Sequence, residues 1–346
     1  MSFRQPDGGR PRAVILGCSG TTLGADERDL FAAGNPLGFI LFARNVADPD
    51  QVRRLTAALR DSVGRADAPI LVDQEGGRVR RLRPPHWRGM PAAGVFGTLY
   101  RHSPAAALEA ARLAGRLIAA DCLAVGLNVV CAPCADVPVA DGHDVIGDRA
   151  FADAPEVVSR LARAMAAGIA ELGAIPVVKH LPGHGRARAD SHRELPVVEA
   201  ARADLEAVDA VPFRALADLT WGMTAHVLYT AIDPQLPGTV SPAVIRFIRE
   251  TIGFRGLLLS DDLGMQALGG TPLERARAAL AAGCDIALHC DGRPETAASL
   301  LADLPAIDDA TASRLARGAP VFGPRPDPEP QRWQGRLDAL LEGAPA

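Results

Sequence analysis

The chain has 346 residues, 48% hydrophobic and 23% charged, the profile of a globular protein and not of a disordered or fibrous one. A formal net charge of -4, from 37 basic and 41 acidic residues, offers no positive footprint for nucleic acid or an anionic membrane, so neither is expected as a partner. No apolar run reaches the roughly 20 residues that span a bilayer and the N-terminus carries no readable export signal, while six scattered cysteines fit reduced thiols, so a cytoplasmic location is expected.

Short Val-, Ile- and Leu-rich runs recur along the chain: 13–16, 38–42, 69–73, 128–132, 175–179, 222–227, 256–260 and 285–288. Between them lie segments such as 104–124 and 155–172, dense in Ala, Leu, Arg and Glu, whose apolar residues return every three or four positions as in an amphipathic helix. Strands alternating with helices imply parallel strands joined by helical crossovers. Eight such units predict an α/β protein built as a single (β/α)8 TIM-like barrel over residues 1–323, with an open doubly wound sheet as the competing arrangement. A Pro-rich break at 324–330 precedes one short terminal helix over 332–341.

Polar residues collect at the strand ends. Asp73 closes the third run, Lys179 and His180 the fifth, His226 the sixth, and Asp261 and Asp262 the seventh. In a parallel barrel these termini share one rim, where barrel active sites are built. Of 37 basic residues 36 are arginine, so Lys179, the single lysine, marks a place where a compact ammonium is required.

Three histidines fall within KHLPGHGRARADSH: His180, His184 and His192. His180 and His184 have the spacing of two metal ligands on one helical face, but Pro182 and Gly183 between them oppose a helix. A loop pivoting on Gly183 and Gly185 and folding over a substrate is expected instead. Asp190, two residues before His192, can orient that imidazole and raise its basicity for acid/base work. No G-x-S-x-G elbow is present, which leaves carboxylates as nucleophile candidates. SDDLGM supplies two, and strand alternation lets one of Asp261 and Asp262 face the rim without saying which. A carboxylate nucleophile opposite a proton donor, ringed by groups that bind hydroxyls, is the equipment for retaining glycoside hydrolysis.

At these residues the chain resembles the bacterial β-N-acetylglucosaminidases of glycoside hydrolase family 3, the NagZ type, from about Gly38 to Asp291. The likeness rests on GFILFARN at 38–45, VDQEGGRVRRL at 72–82, IGDRAF at 146–151, KHLPGHG with the following DSH, and SDDLGM at 260–265. It implies that Asp261 is the nucleophile and that His192, backed by Asp190, is the acid/base. It further implies that Asp73, Arg81, Arg149, Lys179 and His180 bind N-acetylglucosamine. The implied substrate is the non-reducing N-acetylglucosamine of muropeptides, β-1,4-linked to 1,6-anhydro-N-acetylmuramic acid, cleaved in the cytoplasm by a monomer without metal or organic cofactor. Near His289 the match holds in outline alone.

Two other readings are carried. One is a metal-dependent hydrolase using His180, His184, His192 and Asp261; the other is a sugar-binding sensor without catalysis. Cys131 and Cys134 are expected as buried free thiols, His226 as a rim group, and Arg78, Arg80 and Arg83 as solvated or ion-paired surface. Trp87 fits either a sugar platform or a loop cover.

Overall fold

Each of the eight apolar runs becomes a strand of one closed, wholly parallel barrel: Arg12–Gly17 (β1), Pro36–Leu41 (β2), Ile70–Val72 (β3), Val129–Val130 (β4), Ile175–Leu181 (β5), Trp221–Thr224 (β6), Leu257–Asp262 (β7) and Ile286–His289 (β8). β8 returns to β1, with Val14 opposite Ala287 and Leu16 opposite His289, so no edge is left and the open sheet is ruled out. The computed structural model describes residues 9–317 and 329–342, apart from 141 and 192. The Pro-rich break lies outside the described residues up to 328.

Strands buried on both faces read as continuous apolar runs because alternate residues enter different cores. Ile15, Ile40, Leu71, Val129, Val177, Met223, Leu259 and Leu288 fill the barrel interior. Their neighbours Val14, Leu41, Val72, Val130, Val178 and Leu258 face the surrounding helices. The helix Pro155–Glu171 shows the matching pattern: Pro155 and Glu156 suit its first turn, and Val158, Leu161, Ala162, Met165 and Ile169 form its buried stripe. The helix after β7, Pro272–Ala282, is fixed by a capping box in which Thr271 and Glu274 exchange hydrogen bonds with each other's backbone.

The terminal helix runs Pro330–Glu342, slightly longer than expected, and packs on the helix Pro104–Leu123. It buries Trp333 and Leu337, with the Arg116 guanidinium 5.5 Å from the Trp333 ring centroid. Among the described residues, no helix is long and apolar enough to cross a membrane.

Two ladders lose register at the C-terminal rim: β5 against β6 between Val178 and Leu181, and β7 against β8 between Leu259 and Asp262. Such irregularities re-aim side chains next to active sites. They fall on the segments that carry Lys179, His180, Asp261 and Asp262.

Candidate active site

The C-terminal rim opens into a cavity of about 270 Å³ whose walls include Asp73, Arg81, Arg149, Lys179, His180 and Asp261. Phe42, Met223, Met265 and Leu288 supply apolar surface, and His184 and Ser191 reach it from the loop after β5. Polar groups converging on a partly apolar pocket are what a sugar ring needs, since its hydroxyls and its carbon faces ask for different partners.

The segment DQEGG after β3 builds one wall. Gln74 accepts from the backbone N–H groups of Arg81 at 2.9 Å and Leu82 at 3.0 Å, which fixes where Arg81 begins. Gly76 and Gly77 make the intervening turn at φ of 98° and 54°, where a Cβ is strained. Asp73 then receives Lys179 Nζ at 2.9 Å on one oxygen and Arg81 Nη2 at 2.8 Å on the other. Glu75 receives Lys179 Nζ at 2.6 Å and Arg149 through a bidentate pair at 2.8 and 2.9 Å. Lys179, 3% exposed, therefore bridges two carboxylates on a path too short for a guanidinium fork.

These charges hold one another ionised. Burial would raise Asp73, but Lys179 and Arg81 keep its carboxyl well below the usual range. Glu75 follows the same logic, burial raising it and Arg149 and Lys179 drawing it down to about 2. Burial opposes the Lys179 charge, yet Asp73 and Glu75 push its pKa upward. Arg81 Nε is buried without a hydrogen-bond partner among the described residues.

Asp136, fully buried after β4, organises the next wall. Its Oδ2 meets His180 Nδ1 at 2.7 Å and its Oδ1 accepts the His184 N–H at 2.7 Å. Burial would raise the Asp136 carboxyl, but His180 holds it well below its ordinary value. His180 thus turns Nε2 toward Arg149, 3.5 Å away. His184, pushed down to about 4 by burial and by His180, is neutral at physiological pH and lies 3.3 Å from the Ser191 hydroxyl through Nε2. Cys134 is the buried free thiol expected, and it donates to Asp136 Oδ2 at 3.1 Å, which adds support to this wall. Cys131 is the buried thiol anticipated, inside the barrel.

Asp261 and Asp262 both line the cavity, against the alternation rule, because β7 breaks register there. Their roles differ. Asp262 Oδ1 accepts from the N–H groups of Gly264 and Cys290 at 2.9 and 3.0 Å, a brace for two backbones. Asp261 Oδ1 accepts the N–H of Asp262 at 2.8 Å. Burial raises the Asp261 carboxyl, but His226, His180 and the Asp262 N–H outweigh it, and the net direction is downward. Such a carboxylate is ionised at neutral pH and can attack an electrophile.

His226 lies beneath this pair. Its Nε2 donates to the Asp262 carbonyl at 2.9 Å, which leaves Nδ1 to accept from Thr239 Oγ1 at 2.7 Å. Thr239 meets Thr224 Oγ1 at 2.8 Å, and Thr224 accepts the Asp261 N–H at 3.3 Å. The network closes on the backbone of both aspartates.

All five residues expected to bind the sugar and the expected nucleophile meet in this cavity. Asp190 is described but is not among the cavity-lining residues, and His192 lies outside the described residues. Ser191 stands between them in sequence, lines the cavity, and accepts the Ala267 N–H at 3.3 Å through its carbonyl, which ties this loop to the segment after Asp261. Gly183, at a φ of 139°, and Gly185 both sit where the loop passes close to other segments. A Cβ on Gly185 would lie 1.8 Å from the Val137 carbonyl oxygen, and one on Gly183 would lie 2.9 Å from Asp209 Cβ, so both are close-contact points.

Glu75, Gln74 and Asp136 were not singled out from sequence. Glu75 carried a legible sign, two residues from Asp73 on an extended segment and hence on the same side. Asp136 had a weaker one, an acid just past a strand end. Trp87 is buried and is not among the cavity-lining residues, which makes it a loop cover. Arg78 pairs with Asp148 and donates to the carbonyls of 144–146, pinning the loop that presents Arg149.

His180 Nδ1 and His184 Nε2 turn to Asp136 and Ser191, and no cluster of possible metal ligands among the described residues contains both histidines. Among the described residues, Cys134, Asp136 and His180 bring three possible ligand atoms together, and these atoms already bond one another.

A half-buried, ionised aspartate facing arginine, lysine and imidazole on the C-terminal rim of a (β/α)8 barrel defines a glycoside hydrolase of the barrel class. Residues 19–314 match the Glycosyl hydrolase family 3 N terminal domain, and the chain belongs to that family. A β-hexosaminidase of Alkalilimnicola ehrlichii is 44% identical over 315 residues, 89% of each chain, and one of Nitrosomonas eutropha is 40% identical over 297 residues, 84% of each. NagZ of Neisseria gonorrhoeae, solved in complex with N-trifluoroacetyl-D-glucosamine, is 32% identical with a TM-score of 0.86, over 96% of this chain and 98% of that one. The protein is a β-hexosaminidase of the NagZ type, an enzyme, and the sensor reading falls away.

Proposed function

We propose that the enzyme is a retaining exo-β-N-acetylglucosaminidase that removes the non-reducing N-acetylglucosamine from cell-wall muropeptides, in which it is β-1,4-linked to 1,6-anhydro-N-acetylmuramic acid. The observation that carries this reading is that Asp261 shares one cavity with Asp73, Arg81, Arg149, Lys179, His180 and with Ser191, the sequence neighbour of His192. Binding of an N-acylated glucosamine by the gonococcal relative supports the amino-sugar assignment.

In the first step an Asp261 oxygen bonds to the anomeric carbon as the bond to the leaving oxygen breaks, and His192 gives that oxygen its proton. In the second, water attacks the same carbon, gives its proton to His192, and releases Asp261. Two inversions return the β configuration. Asp190 orients His192 and stabilises its charged form. The ionised wall of Asp73, Arg81 and Lys179 holds the hydroxyls, which aligns the carbon for attack. The enzyme acts as a cytoplasmic monomer without a metal or organic cofactor, its barrel formed by residues 1–323 and residues 324–346 appended.

Asp261→Asn tests the assignment. It is expected to lower kcat on 4-nitrophenyl β-N-acetylglucosaminide by about four orders of magnitude, the scale seen when a member of a catalytic set is removed, with unchanged circular dichroism. A variant that turns over like the wild type ends the mechanism. Activity that survives exhaustive chelation counts against the metal-dependent alternative.

A further inference from the structure

Between β5 and the acid/base pair the chain runs through residues 182–190, and the base of this loop is held at several points. His184 donates its N–H to Asp136, Tyr229 donates its hydroxyl to the Gly183 carbonyl at 2.8 Å, and Gly185 lies against the Val137 carbonyl. Ala187 accepts the His143 N–H at 2.7 Å through its carbonyl, and a further tie is ionic: Arg186 Nε donates to Asp209 Oδ2 at 2.6 Å. Asp209 ends a π-helical turn, Leu205–Asp209, a type of turn frequent at functional sites. It is 2% exposed, and its Oδ1 is buried with no partner among the described residues. A half-satisfied buried carboxylate is a destabilising choice at a place where an apolar side chain would pack, so its retention points to a task other than stability.

We infer that Asp209 is a positioning residue for glycoside cleavage, whose ion pair with Arg186 sets the loop that carries Asp190 and His192. This rests on the acid/base reading of His192. Asp209 is not among the residues that line the sugar cavity, so it acts through the loop.

The ion pair is also sensitive to pH. Burial raises the Asp209 carboxyl to about 6, against the pull of Arg186. The titratable groups facing it are Arg186 from the loop, Asp136 after β4 and Tyr229 after β6. Asp136 is held well below its ordinary value by His180 against burial, and burial pushes Tyr229 well up, so neither titrates between pH 5 and 8. Above about pH 6 Asp209 is charged and the tie is ionic; below it the carboxyl is neutral and the tie weakens.

The full-length enzyme is compared with Asp209→Asn, Asp209→Glu and Arg186→Gln. Asp209→Asn and Arg186→Gln are expected to lower kcat about tenfold, well within the range reported for small misplacements, with KM within about twofold. Amide exchange across residues 183–191 is expected to quicken, and Asp209→Glu to recover part of both losses. The wild-type to Asp209→Asn ratio of kcat should shrink as pH is taken from 7.5 to 5, a change that a purely structural role would not produce. A ratio constant with pH, or loop exchange equal to the wild type's in both neutralising variants, overturns the proposal. His192→Ala is assayed alongside: full activity there overturns the acid/base reading, and loop exchange then decides whether the ion pair holds the loop.

Discussion

Around Lys179 the cavity wall is a lattice in which every charge meets an opposite one: Arg81, Asp73, Lys179, Glu75 and Arg149 follow one another at 2.6 to 2.9 Å. The loop from 182 to 190 is fixed differently, clamped at its base by Asp136, Tyr229 and Asp209, with its far end reaching Ala267 through the Ser191 carbonyl. The contrast separates two demands. Holding a sugar asks for donors and acceptors that do not reorganise, whereas a proton donor must approach the leaving oxygen and later the water, which suits a loop held by separate ties and not by a continuous lattice.

The contrast is broken most sharply by His192→Ala, which removes no member of the lattice. Loss of an acid/base group is expected to lower kcat by about 10²- to 10⁴-fold on a substrate with a poor leaving group. The loss in the first step should shrink on a 2,4-dinitrophenyl glycoside, which leaves without protonation; pre-steady-state release of the phenol measures it. Lys179→Met attacks the lattice instead, leaving Asp73 and Glu75 buried without their shared cation. A destabilisation of about 3–5 kcal/mol is expected, read by urea unfolding, together with a raised KM. Lys179→Arg should not restore binding, because the forked guanidinium does not fit between two carboxylates already close to one ammonium.

His226→Ala opens the network beneath Asp261 without touching the lattice. A fall in kcat of about tenfold with little change in KM is expected, because a nucleophile held less well loses effective concentration and not affinity for the sugar. Glu75→Gln gives the smallest kinetic effect and sharpens the electrostatic account. Glu75 has its folded pKa lowered to about 2 from 4.5, so its contribution to stability is present above pH 4.5 and is lost as pH falls toward 2. The wild-type midpoint should therefore drop across that window, and the Glu75→Gln midpoint should drop less steeply, as thermal unfolding at stepped pH will read.

Much of this was legible beforehand. The eight apolar runs became the eight strands, and the helices expected at 104–124 and 155–172 end within a residue of Pro104–Leu123 and Pro155–Glu171. Periodicity and length are local properties, and a strand buried on both faces announces itself in any window. Asp73, Lys179, His180 and Asp261 were visible as polar residues at strand ends, where the barrel's topology gathers them. What could not be read came from contacts between distant segments. Asp136 meets His180 across 44 residues, and Arg149 meets Glu75 across 74.

The amino-acid sequence by itself determined the barrel, its order of strands and the rim on which chemistry collects, because hydrophobic period and chain alternation act over a few residues at a time. The tertiary structure decided which carboxylates carry which task. A break in ladder register put both Asp261 and Asp262 into the cavity, backbone donors made Asp262 a brace, and Val137 and Asp209 left no room for a Cβ on two loop glycines. Those outcomes depend on distances between segments far apart along the chain, and no local pattern of residues encodes a distance.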